Sequence, residues 1–205
     1  MSGSHAPRIV TGSTTVPQVD SAPVPAAASN LPMTGIIVPV REAETLVRAR
    51  MLQVTPELLP QDRSLVAHIT LLAPFHPESD VDDAIVEHLA GFFAEVTPFG
   101  FELTELCEFP RGITYLAPEP ASTFRRLTAE LHRQFPEFPP YGGEFDDIVP
   151  HLTVPLTPGE TTDDLRTALG SMLPIHAFAR EALLVHAEEG ATHVIATFPF
   201  GTTAA

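Results

Sequence analysis

Two stretches of the chain alternate apolar and polar residues for the length of a strand. They are Val66-Ala67-His68-Ile69-Thr70-Leu71 and Val149-Pro150-His151-Leu152-Thr153-Val154. Successive side chains of a strand point to opposite faces, so His68 and Thr70 share one face while Ile69 and Leu71 share the other. His151 and Thr153 stand in the same relation to Leu152 and Val154. Each strand therefore turns aliphatics toward a core and leaves an imidazole and a hydroxyl on its other face.

The rest of the ordered region follows from the same kind of periodicity. Gly35 to Val40 reads as a first strand, and Arg41 through Leu52 as a helix rich in Glu, Ala, Leu and Arg. Acidic Asp80, Asp82 and Asp83 open a second helix whose apolar stripe is Ile85, Val86, Leu89, Phe92 and Phe93. Phe101 to Phe109 alternates like a strand and returns through Pro110-Arg111-Gly112 as Ile113 to Ala117. A third helix over Ser122 to Phe135 carries Phe124, Leu127, Leu131 and Phe135 on one side, and Thr162-Asp163-Asp164 starts a fourth that ends near Met172. Ala177 to Ala187 and His193 to Phe200 read as strands joined through Glu188-Glu189-Gly190. This order gives each half a His strand and two helices, and predicts an α+β domain with a pseudo-repeat.

Composition changes the picture at three points. Residues 1–32 are dense in Pro, Ala, Ser, Thr and Val, so a flexible tail is expected ahead of a domain at 33–205. The charge balance, 11 basic against 26 acidic residues for a net −15, disfavours binding to long RNA or DNA, which rests on neutralising phosphates. A small phosphorylated nucleotide or a short oligonucleotide, needing few local donors, stays compatible. The single cysteine, Cys107, excludes a disulfide framework and reads as a buried structural thiol. With no secretory signal and no apolar run long enough to span a bilayer, a cytoplasmic location is expected and no membrane contact; oligomeric state is not legible.

Of the nine histidines, only His68 and His151 are followed two residues later by threonine. Two imidazoles on opposite sides of a phosphorus can remove a proton from water and give one to a leaving oxygen near neutral pH. Thr70 and Thr153, beside them, can donate hydrogen bonds to the non-bridging oxygens as charge builds. The chain has no His-Glu-x-x-His, no Cys-x-x-Cys and no phosphate-binding glycine loop, and neither metal nor cofactor is expected.

With its duplicated His-x-Thr-x, followed by Leu71-Leu72-Ala73-Pro74-Phe75 at the first copy and preceded by Val149-Pro150 at the second, the chain resembles the 2H phosphoesterase superfamily over about residues 34–200. That group includes 2′-5′ RNA ligase-like proteins and cyclic phosphodiesterases. The resemblance implies two lobes of antiparallel sheet around a central cleft with helices outside, His68 and His151 as catalytic residues, and Thr70 and Thr153 as substrate-binding residues. It implies a metal-independent phosphodiesterase acting on a 2′,3′-cyclic or 2′-5′-linked nucleotide or a related small cyclic phosphate. The alternatives are 2′-5′ RNA ligation and a non-catalytic or specialised-metabolite-binding member using the same cleft. The loop Pro139-Pro140-Tyr141-Gly142-Gly143 resembles the segment before the second motif in many members, which makes Tyr141 and Phe145 candidates for stacking on a base. Arg41 and Arg111 are candidates for phosphate contact, and His76 for a position at the cleft.

Overall fold

The sequence Met-Thr-Gly-Ile-Ile-Val-Pro has no polar face, and the strand it forms, β1 (Met33–Pro39), is buried from Thr34 onward because it lies inside a sheet. In a computed structural model that describes residues 31–56, 59, 65–110, 112–143, 147–188 and 191–201, the chain continues through a 3-10 turn into α1 (Glu44–Val54). Then come β2 (His68–Leu72), α2 (Asp83–Ala94), the hairpin β3 (Phe99–Phe109) and β4 (Ile113–Glu119), and α3 (Ser122–Gln134). The short β5 (Leu152–Thr153), α4 (Thr162–Leu169), β6 (Ile175–Ala179), β7 (Glu181–Glu188) and β8 (Ala191–Pro199) complete it. The expected tail falls almost entirely on residues 1–30, outside the described residues.

The strands make two four-stranded antiparallel sheets, ordered β2-β1-β7-β8 and β5-β4-β3-β6. The first sheet joins strands from both ends of the described chain, whereas the second is one continuous block. The two lobes are thus not the two halves of the sequence that a simple repeat predicts. A second correction concerns residues 177–187, expected as a single strand. The chain breaks at Arg180, and β6 pairs with β3 in one sheet while β7 pairs with β1 in the other. Ala177 and Ala179 alternate with less buried positions on β6 whereas Ala182 to Val185 are buried without interruption on β7, so the alternation slips at Arg180 and Glu181, where the chain changes sheet.

Helices cover the sheets through aromatic side chains. Phe93 of α2 stacks on Phe198 and Phe200 at 5.5 and 5.7 Å, and Phe124 of α3 meets Phe99 and Phe101 edge-on at 5.3 and 5.0 Å. Asp82 caps α2 by accepting from the Ile85 N–H, and Thr161 caps α4 in a reciprocal pair with Asp164, one residue before the predicted start. α4 ends at Leu169, short of the expected Met172.

Candidate active site

β2 and β5 are each the outer strand of their own sheet, and they lie against one another, so the two motifs meet at the seam between the lobes. The aliphatic positions do what their alternation predicts: Ile69, Leu71, Leu152 and Val154 are fully buried. Thr70 sits opposite Ile37 and His68 opposite Pro39 on β1, which puts the first motif's polar pair on one face. The second motif is less of a strand than expected. Pro150 and Pro155 bracket it, neither has an N–H to give to a ladder, and only Leu152 and Thr153 pair, with Leu116 and Tyr115. Val154 is held instead by Thr114, whose carbonyl accepts from its N–H at 3.0 Å and whose hydroxyl donates to its carbonyl at 2.5 Å.

Both imidazoles are fixed the same way. His68 Nδ1 lies 2.7 Å from the Val66 carbonyl and His151 Nδ1 lies 2.8 Å from the Val149 carbonyl. A carbonyl only accepts, so each Nδ1 carries the proton and each Nε2 bears the ring's basic lone pair. Both side chains are half-buried, and Thr153 is exposed while Thr70 is half-buried. Burial pushes the His68 imidazole below the ordinary histidine value, opposed by the Val66 carbonyl and the charge of Glu44. Burial also lowers His151, opposed by the Val149 carbonyl and reinforced by the charge of His68, so the rings are near enough to feel one another.

An aromatic wall surrounds His151. Phe109 meets its ring edge-on at 5.0 Å, Tyr115 at 5.7 Å, and Tyr141 lies nearly parallel at 6.1 Å. Tyr141 adopts a left-handed φ of 54°, and its N–H donates at 2.7 Å to the carbonyl of Ala73, just past β2. The loop before the second motif is thereby tied to the end of the first. Burial pushes the Tyr141 hydroxyl up to about 12, so it is a neutral hydrogen-bonding group at any physiological pH. Phe109 and Tyr115 were not anticipated from sequence. The register that sets Tyr115 opposite Thr153 is long-range, and only the polar parity of β4 hints at it.

Other expectations fare unevenly. Cys107 is not in the core: it is half-buried opposite Tyr115 on β4 and shares a hydrogen bond with it, with burial pushing the thiol up. Arg41 is largely exposed and tied to Glu181. His76 packs among Phe75, Phe135 and Phe138. His132 is half-buried on α3 with Nδ1 unpartnered. His186 and His193, facing each other on β7 and β8, stack at 5.2 Å and share the Glu78 carboxylate. Arg111 and Phe145 lie outside the described residues. Among the described residues no group of three His, Cys, Asp or Glu side chains is arranged to hold a metal ion, and no helix is long and apolar enough to cross a membrane.

Comparison with known proteins bears on the family and the fold. A family model described as the 2′-5′ RNA ligase superfamily matches residues 38–191. Among solved structures, TT0787 of Thermus thermophilus is similar with a TM-score of 0.56 at 20% identity, over 82% of this chain and 97% of that one. LigT of E. coli, crystallised with ATP, gives 0.50 at 15% identity over 83% and 98%, and a protein described as a phosphoesterase gives 0.51 at 15% over 83% and 99%. At such identities the likeness is one of fold. No curated protein matches the sequence significantly.

Proposed function

The chain belongs to the 2′-5′ RNA ligase superfamily, and on that footing we propose that it is a phosphodiesterase that opens a 2′,3′-cyclic or 2′-5′-linked nucleotide, or a related small cyclic phosphate, by acid-base catalysis between His68 and His151. The observation that carries the reading is the matched pair of rings at the seam, each with Nδ1 committed to a carbonyl two residues back and Nε2 left as the basic nitrogen. One Nε2 takes a proton from water as its oxygen bonds to phosphorus. The other, protonated, gives its proton to the ribose oxygen as the P–O bond breaks. Thr70 and Thr153 donate to the non-bridging oxygens, where negative charge rises during attack. Tyr141 and the Phe109–Tyr115 pair offer flat apolar surface to a base. That LigT has been crystallised with ATP and with NADP+ supports a small nucleotide as ligand.

The test is a turnover screen over 2′,3′-cyclic mononucleotides, 2′-5′ oligoadenylates and ADP-ribose cyclic phosphate, with products resolved as 2′- or 3′-monoesters. Because both proton transfers are assigned to imidazoles, rates are expected to be unchanged by a chelator. Binding of these compounds without turnover would instead mark a binding module, and joining of RNA ends without hydrolysis would mark a ligase.

A further inference from the structure

The two motifs differ in what stands behind them. Glu44, the first residue of α1, directs its carboxylate at the peptide just ahead of His68: Oε2 accepts from the N–H of both Val66 and Ala67 at 2.9 Å, and Oε1 accepts from Arg48 Nε at 2.8 Å. Val66 is the residue whose carbonyl fixes His68 Nδ1. The carbonyl of Ala67 accepts from Val40 N–H at 2.9 Å, so Ala67 is held at both its N–H and its carbonyl. The second motif cannot be held like this, because the position matching Ala67 is Pro150, which has no N–H to donate.

We propose that Glu44 is a positioning residue of this site: by gripping the Val66–Ala67 peptide with a charged group it orients His68 and makes it the proton-holding member of the pair, leaving His151 as the base. The proposal rests on the reading of His68 and His151 as an acid-base pair. A carboxylate that receives three hydrogen bonds is fixed in place, and the charge of Glu44 favours the protonated form of His68. The other charged and titratable groups on elements around His68 do not reproduce this. Arg48 is committed to Glu44, and Arg41 at the end of β1 is committed to Glu181 of β7. α3, which packs on β2, brings His132, and the second motif brings His151 with the neutral Tyr141 beside it. A proton on His68 in turn opposes one on His151, which widens the difference.

The experiment is nitrogen-15 NMR of the two imidazoles in the intact protein, with no substrate, beside pH profiles of kcat/KM. In the wild type His68 is expected to hold its proton to higher pH than His151, and both neutral rings to show the Nδ1–H form. Glu44→Gln keeps the shape and an acceptor oxygen but not the charge. It should lower the pH at which His68 titrates and leave His151 nearly in place, and should move the falling limb of the activity profile acidward with kcat reduced about 10-fold and KM little changed. A merely structural role would lower activity without moving a limb. The proposal is overturned if His68 titrates below His151 in the wild type, a result that needs no variant to fold, or if Glu44→Gln shifts neither ring or moves the rising limb. Normal titration in a protein that turns over none of the substrates would instead count against the phosphodiesterase reading and leave the Glu44 link standing.

Discussion

An imidazole that burial has pushed toward its neutral form makes the fold sensitive to acid. His68 and His151 both lie below their ordinary value of 6.5 when folded, so between those two levels the unfolded chain binds more protons than the folded one. Stability from this source is complete above the unfolded value and is lost as pH falls through the folded values. The melting temperature is expected to fall as pH is lowered below about 6.5, and a His68→Asn, His151→Asn variant should show a flatter profile over the same range. In catalysis, His68→Ala and His151→Ala should each reduce kcat by about a hundredfold to ten-thousandfold, and the double variant should lose less than the product, since the rings act as a unit. Thr70→Ala and Thr153→Ala should cost less; full activity in either histidine variant would rule out the pair. The four motif side chains were legible because alternation fixes their face. Glu44 was not, because it lies 22 residues from Val66, whose N–H it accepts, and a helix-opening glutamate has an ordinary local explanation.

Strands, helices and caps followed from periodicity wherever one face meets a core, and α2, α3 and the β3–β4 hairpin lie close to their predicted spans. Two elements did not, and both turn on the backbone. The segment around His151 has strand-like side chains but too few free N–H groups to pair, and the break at Arg180 is marked only by a slip between the alternation of β6 and the continuous apolar run Ala182 to Val185 of β7. The weakly paired second motif is held by its neighbours. Arg50 of α1 donates through Nε to the Pro155 carbonyl at 2.7 Å and pairs with Glu160, with only 12% and 15% of the two side chains exposed. Burial pushes Glu160 up, but the Thr157 N–H and hydroxyl and the Arg50 charge outweigh it and hold the carboxyl below its usual range. Removing one partner strands the other charge, so Arg50→Met should lower stability in urea by on the order of 3 kcal/mol, and adding Glu160→Leu should recover much of that. If Arg50→Met leaves the urea midpoint unchanged, the pair is not holding this segment.

At the scale of the molecule, much of the basic charge among the described residues is already paired: Arg41, Arg48, Arg50, Arg133 and Arg166 are each tied to a carboxylate, while Arg125 donates to the Ile148 carbonyl and Arg180 lies over the Phe178 ring. A net charge of −15 repels a phosphate backbone at distance, and donors in the cleft offset this over one or two phosphates. Turnover should favour mononucleotide or dinucleotide substrates, and added salt should leave binding of a roughly 20-nucleotide RNA unchanged or slightly stronger; tight binding that collapses with salt would put ligation first. The net charge itself is legible from composition. The pairing of β1 with β7 was not, since strands from opposite ends of a chain carry no local signal of partnership. That pairing also sets an order of events during synthesis. The strands β3 to β6 leave the ribosome as a block and can pair as they appear, and β1 can pair with β2, while the other edge of β1 must wait for β7. A nascent chain stalled near residue 180 is therefore expected to protect the amides of β3 and β4 from exchange but not the β1 amides that pair with β7. The strand β1, which pairs with the strand bearing His68, is then an unfinished edge, open to chaperones or to the wrong neighbour until translation is almost done.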